Sequence, residues 1–141
     1  MTVAILDVGR ARLKVSRWAC GSSIERLAFD VTEVGRDEEK ESLPQAVRSE
    51  LQRLSDLGDR VVVTGGSRLR DDAELSARLA ESAAEFGALF RALDPVAEGE
   101  ALAASYGLGD DELLIDVGGG SVQAIWLEGG RPMVASFPLG T

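Results

Sequence analysis

Apolar residues come in short bursts along this chain, and the spacing within the bursts changes partway through. Residues 3–8 form an apolar run that closes in Asp7-Val8-Gly9. Leu13 and Val15 alternate with polar neighbours, with Trp18 out of step, and predict a second strand. After the turn Gly21-Ser22-Ser23, residues 24–34 hold Leu27, Phe29 and Val31 in alternation, a third strand. Three successive strands joined by tight turns predict an antiparallel meander. Residues 35–41 are polar and predict a loop. The period then lengthens. Ser42-Leu43-Pro44-Gln45 has the chemistry of a helix start: a capping hydroxyl, a proline in the first turn and a glutamine three residues beyond the cap. Val47, Leu51 and Leu54 recur at helical spacing up to Gly58. Residues 60–64 contain Val61-Val62-Val63, a β-branched run suited to a strand covered on both faces. Residues 64–67 predict a loop. Asp71 with Glu74 marks a second helix with the stripe Leu75, Leu79, Ala83 and Phe86. Residues 88–93 predict a further buried strand, and Asp94-Pro95 opens a third helix that stops at Gly107. Residues 113–117, 122–127 and 132–137 predict three more strands, with Glu128-Gly129-Gly130 as a turn. The order βββαβαβα, then βββ, predicts an α/β fold: a mixed sheet of three antiparallel strands followed by βα crossovers, with the later strands parallel.

Composition narrows the class. A length of 141 residues is one domain, or one domain and part of another. With 45% hydrophobic and 28% charged residues the chain is globular, which excludes disorder and fibres. No run approaches the length of a membrane-spanning helix, and no basic leader precedes the first apolar segment, so the expected location is cytoplasmic. Cys20, the one cysteine, is read as a small buried hydrophobe. The absence of histidine removes Ser-His-Asp triads and most zinc sites. A net charge of −9 argues against nucleic acid and anionic membranes as partners, since both select for cations.

One segment recurs. Ala4-Ile5-Leu6-Asp7-Val8-Gly9 and Leu113-Leu114-Ile115-Asp116-Val117-Gly118 stand 109 residues apart, and beyond each turn Leu13-Lys14-Val15 aligns with Val122-Gln123-Ala124. In both copies an acid ends an apolar strand just before glycine. A carboxylate there is costly unless it is paired, hydrogen-bonded or bound to a cation. The glycines let backbone amides approach an anion closely.

Asp116-Val117-Gly118-Gly119-Gly120-Ser121-Val122-Gln123, followed by Ser136-Phe137-Pro138-Leu139-Gly140-Thr141, resembles the exopolyphosphatase/guanosine pentaphosphate phosphohydrolase (Ppx/GppA) family of the actin-like ATPase superfamily. The resemblance implies a ribonuclease H-like fold in two related lobes with the active site between them. Here it implies a first lobe over residues 1–109 and the opening three strands of a second, truncated lobe over 110–141. It further implies hydrolysis of terminal phosphoanhydrides of polyphosphate or of guanosine penta- or tetraphosphate with Mg2+. The roles it carries over are metal binding for Asp116 and Asp7; phosphate binding for Gly9, Lys14, Thr64, Arg68, Gly118, Gly119, Gly120 and Ser121; and water activation for Glu100. The chain departs from the family pattern at Arg10-Ala11-Arg12, where the family has serine and asparagine, and at Gln123, where it has glutamate. These departures keep two alternatives open: a non-catalytic phosphate- or nucleotide-sensing module, and another kinase or ATPase of the actin-like group. The three tail strands are expected to expose an apolar face and an edge, and so to form a homodimer.

Overall fold

The alternating start of the chain folds as the predicted meander in the computed structural model, which describes residues 1–34, 42–118 and 121–138. Strands β1 (Thr2–Val8), β2 (Arg12–Cys20) and β3 (Ile24–Glu33) pair antiparallel in sequence. The register of β2 and β3 shifts at Arg17/Trp18. The residue passed over is Leu27 of β3; β2 pairs β1 without a break, so Trp18, opposite Val3, stands on the other face from Leu13 and Val15 and is out of step with them. The loop predicted over 35–41 lies outside the described residues.

Helix α1 (Ser42–Asp56) leads to β4 (Arg60–Gly65), then to the short α2 (Ser67–Asp71), α3 (Ala73–Glu85) and β5 (Leu89–Ala92). Both β4 against β1 and β5 against β4 are parallel, giving the sheet order β3-β2-β1-β4-β5. Alternate residues Ala4, Leu6 and Val8 of β1, Leu13 and Val15 of β2, and Val61 and Val63 of β4 are buried in one cluster with the stripes of α1 and α3. Val47, Leu51, Leu54 and Leu79 are wholly buried within it; truncating any of these leucines to alanine costs about 2–5 kcal/mol. Arg17 and Asp59 clasp β2 to the turn before β4, Nε to Oδ2 at 2.6 Å and Nη2 to Oδ1 at 3.0 Å. The bond to Asp59 raises the Arg17 pKa further.

Two sequence expectations are corrected here. The loop read over 64–67 is instead the end of β4 and the start of α2. Gly65 permits this, because a Cβ there would lie 2.7 Å from the Val8 carbonyl oxygen and 2.9 Å from Leu69 Cδ1. The cap of α3 is Asp72, which accepts from the Leu75 amide at 3.0 Å, whereas Asp71 pairs with Arg10 at 2.6 Å.

By its contacts the chain divides into two compact units, Met1–Ala92 and Leu93–Thr141. The second holds α4 (Pro95–Tyr106) and a sheet of β6 (Leu113–Val117), β7 (Ser121–Glu128) and β8 (Arg131–Pro138), all antiparallel. α4 begins as its sequence predicts: Asp94 Oδ1 accepts from the Ala97 amide at 2.7 Å, with Pro95 in the first turn. It ends at Gly107 with φ 60°, the left-handed conformation glycine favours. It packs on β8 and β7, burying Gly99 and Ala103. A methyl at Gly99 would overlap Val134. The division after residue 109 follows the sequence repeat, while the contact boundary follows α4, whose partners are strands of the second sheet. Among the described residues no helix is long and apolar enough to cross a membrane.

Candidate functional site

The two Asp-Gly segments fold alike, residue for residue. In the first, Asp7 pairs with Lys14, Leu6 with Val15 and Val8 with Leu13. In the second, Asp116 pairs with Gln123, Ile115 with Ala124 and Val117 with Val122. Each turn is closed by the same bond: the Gly9 amide donates to the Arg12 carbonyl at 2.9 Å, and the Gly118 amide donates to the Ser121 carbonyl at 2.9 Å. A Cβ would crowd those oxygens, at 3.1 Å for Gly9 and 3.3 Å for Gly118. The glycines are thus required by close backbone approach.

In the first unit the parallel pairing extends this row across the sheet. Lys14, Asp7, Thr64 and Arg91 occupy neighbouring strands in register. Paired positions share a face, and this face is the one turned from the α1–α3 core. Asp7, Thr64 and Arg91 stand near the carboxyl ends of β1, β4 and β5, where open parallel sheets bind ligands. Asp7 is half-buried. Loss of water pushes its pKa above the ordinary carboxylate value, and Lys14 across the strand pulls it back. The Thr64 hydroxyl donates to the Arg91 carbonyl at 2.8 Å. Arg68, on α2, uses one Nη to donate to the Arg10 carbonyl, so it braces the β1–β2 turn. Arg10 and Arg12 are spent on Asp71 and Glu33. Sequence reasoning missed Arg91; only the register of β5 brings it to this row.

In the second unit Asp116, Gln123 and Ser136 form the matching row on the face that α4 covers. Gln123 is 2% exposed, and its Nε2 donates to Glu98 Oε2 at 3.0 Å. Gln123 Oε1 is buried and accepts no hydrogen bond among the described residues. Glu100 lies on the exposed side of α4, roughly 200° around the helix from Glu98. Glu98 was also missed, since nothing in the sequence says which side of α4 meets the sheet. Ser121 opens β7 beside the turn, half-buried. Gly119, Gly120 and the segment Leu139-Gly140-Thr141 lie outside the described residues.

Among the described residues no group of three or more histidine, cysteine or acidic side chains is placed to hold a metal ion. The second row still offers oxygen donors in paired positions: the Asp116 carboxylate and the Gln123 carbonyl, which has no partner among the described residues. Such a set fits a hard divalent cation that keeps most of its water, as Mg2+ does. The shallow groove between α1 and α3, lined by Arg48, Arg78, Glu81 and Glu85 among others, is on the other face of the first sheet. Arg48 and Glu85 pair there at 2.7 Å.

The structure is similar to the Ppx/GppA enzyme of Aquifex aeolicus, with a TM-score of 0.74 and 20% identity over 99% of this chain and 53% of that one. It is similar to an exopolyphosphatase from Cytophaga hutchinsonii, with a TM-score of 0.79 and 18% identity over 99% of this chain and 51% of that one. It is also similar to the ethanolamine utilization protein EutJ from Carboxydothermus hydrogenoformans, with a TM-score of 0.58 and 19% identity over all of this chain and 53% of that one. The fold is therefore the ribonuclease H-like, actin-like one expected. The chain spans about half the length of these structures. No sequence-family model and no curated protein sequence matches it.

Proposed function

We propose that this chain carries ligand-handling elements of a Ppx/GppA-type phosphatase, which releases terminal phosphate from polyphosphate or from guanosine penta- or tetraphosphate. The observation that carries the reading is the duplicated Asp-Gly hairpin, with one register and one turn-closing bond in both copies. Phosphoryl transfer to water asks mainly for positioning and charge neutralisation, and the chain has groups for both. The Gly9 and Gly118 amides close their turns, and the amides of Gly119, Gly120 and Ser121 with the Ser121 hydroxyl cradle phosphate oxygens. In the first unit Lys14 and Arg68 offer positive charge to phosphate, and Thr64 donates its hydroxyl after releasing the Arg91 carbonyl. Asp116 would hold Mg2+, and Asp7 would do so at its own hairpin. Bound there, Mg2+ would offset phosphate charge. Glu100, an exposed carboxylate in the first turns of α4, takes a proton from the attacking water.

The test is release of inorganic phosphate from polyphosphate and from guanosine pentaphosphate, with and without Mg2+. Mg2+-dependent release that falls at least about a hundredfold in Glu100→Gln supports the reading, the usual contribution of a general base. Release that needs both a nucleoside triphosphate and an acceptor identifies a kinase instead. One observation favours a non-catalytic binding module: Gln123 is a neutral, buried amide where the family has glutamate. Binding of polyphosphate without any release would select that module. On the same reading the chain works as a homodimer in the cytoplasm.

A further inference from the structure

The row across the first sheet ends in a residue that the phosphatase reading leaves unused. Asp7, Thr64 and Arg91 are each the next-to-last residue of their strand, and the register sets them side by side, with Lys14 of β2 beyond Asp7. Phe90 packs against the core under α1 and α3, so Arg91, its neighbour, stands on the opposite face with the rest of the row. The other cations at this end of the sheet have partners. Arg10 is bound to Asp71, Arg12 to Glu33 and Arg68 to the Arg10 carbonyl. Lys14 faces Asp7, the one acid of the row, and offsets its charge. Arg91 is exposed, faces the neutral Thr64 and pairs with no acid among the described residues. Its backbone is fixed all the same, because its carbonyl accepts from the Thr64 hydroxyl at 2.8 Å. In a chain of net charge −9, a guanidinium left unneutralised at the carboxyl end of a parallel strand points to an anion.

The length of the row says what kind of anion. Three strand steps separate Lys14 from Arg91, which puts their backbones about 14 Å apart. One phosphate is too small to meet both cations. A linear run of phosphates carries charge at every unit and meets both. We infer that Arg91 binds the far end of a linear run of phosphates whose near end lies at the Asp7 hairpin, and so selects ligands by the length of their phosphate chain. The inference rests on the phosphatase reading for the near end, but Arg91 is a residue the family resemblance does not assign. Inorganic polyphosphate and a nucleoside 5′-triphosphate share this chemistry.

The test is calorimetric titration of the whole chain with orthophosphate, tripolyphosphate and GTP, all in one buffer containing Mg2+. Wild type is expected to bind tripolyphosphate more tightly than orthophosphate. Arg91→Gln is expected to lose on the order of tenfold in tripolyphosphate affinity, as loss of a hydrogen bond to a charged group does, and to bind orthophosphate as wild type does. Arg91→Lys keeps the charge and restores most of the loss. Arg60→Gln removes an equal charge from the same face at the other end of β4, opposite Val3, and leaves affinity unchanged. If Arg91→Gln melts lower than wild type, its retained affinity for orthophosphate shows that the hairpin is intact. Tripolyphosphate bound no tighter than orthophosphate, or equal losses in Arg91→Gln and Arg60→Gln, overturns the inference and leaves Arg91 a charge that guards an edge strand. GTP bound with the same dependence on Arg91 identifies a nucleotide as the source of the phosphates, whereas tripolyphosphate bound without GTP identifies the inorganic polymer. Phosphate release is measured in parallel. Arg91-dependent binding without release overturns the phosphatase reading and leaves the role of Arg91 standing. Mg2+-dependent release, with tripolyphosphate affinity unchanged in Arg91→Gln, does the reverse.

Discussion

Asp7 is a carboxylate placed where water is scarce. Burial raises its pKa, and Lys14 only partly restores it. A carboxyl raised in the folded state adds stability while protonated, below the ordinary value of about 3.8. That contribution is lost as pH rises through the raised value. At neutral pH the ionised Asp7 therefore strains the fold, as functional groups often do. Asp7→Asn is expected to melt a few degrees higher than wild type at pH 7 and no higher at pH 3, which thermal melts at the two values check. Equal melting at pH 7 would remove the argument that Asp7 is kept for binding. Asp7 and Asp116 were legible because an acid closing an apolar strand before glycine is a local pattern. The fates of Arg10 and Arg68 were not. Arg10 meets Asp71 and Arg68 meets the Arg10 carbonyl across sixty or so positions of chain, where local sequence leaves no trace.

Elements were legible in proportion to their apolar contrast. The stripes of α1 and α3 and the β-branched β4 were readable, as was the parallel order, which follows from the crossovers. α2 was not, because its five residues make little more than one turn and carry one buried side chain, Leu69. α4 was readable at its ends but not in its facing. Its docking side is Gly99 and Ala103, small residues that stand out from neither solvent nor core. That smallness is what lets the helix lie against Val134. Gly99→Ala is expected to destabilise the protein by about 1–3 kcal/mol, the usual penalty of overpacking. Val134→Ala in the same chain should recover part of the loss, and a denaturant double-mutant cycle measures the coupling. Additive effects would mean that α4 does not bear on β8 at this point. Loss of the Asp94 cap through Asp94→Ala should cost about 1 kcal/mol by the same measurement.

At the scale of the whole molecule the repeat exposes an asymmetry. Ala4, Leu6 and Val8 are 0–1% exposed beneath α1 and α3. Their counterparts Leu113, Ile115 and Val117 are 61%, 50% and 71% exposed. With Val122, Ala124, Trp126, Met133, Ala135 and Phe137 they share one wholly apolar sheet face. β6 also has no strand among the described residues where β1 has β4. An apolar face beside an open edge favours self-association. Light scattering is expected to report a dimer, and the pair Ile115→Lys and Val117→Lys a monomer of unchanged secondary structure; a wild-type monomer at high concentration would count against the dimer. Both the apolar alternation of this face and its exposure were expected from the three tail strands.

The uneven depth of the two units has a consequence for how the molecule comes apart. The buried cluster of the first unit is clamped between a sheet and two long helices, while among the described residues of the second unit one helix, α4, packs on its sheet. A protease offered the native protein should trim residues 93–141 well before it reaches the first unit. The surviving fragment of about ten kilodaltons would mark where cooperativity ends.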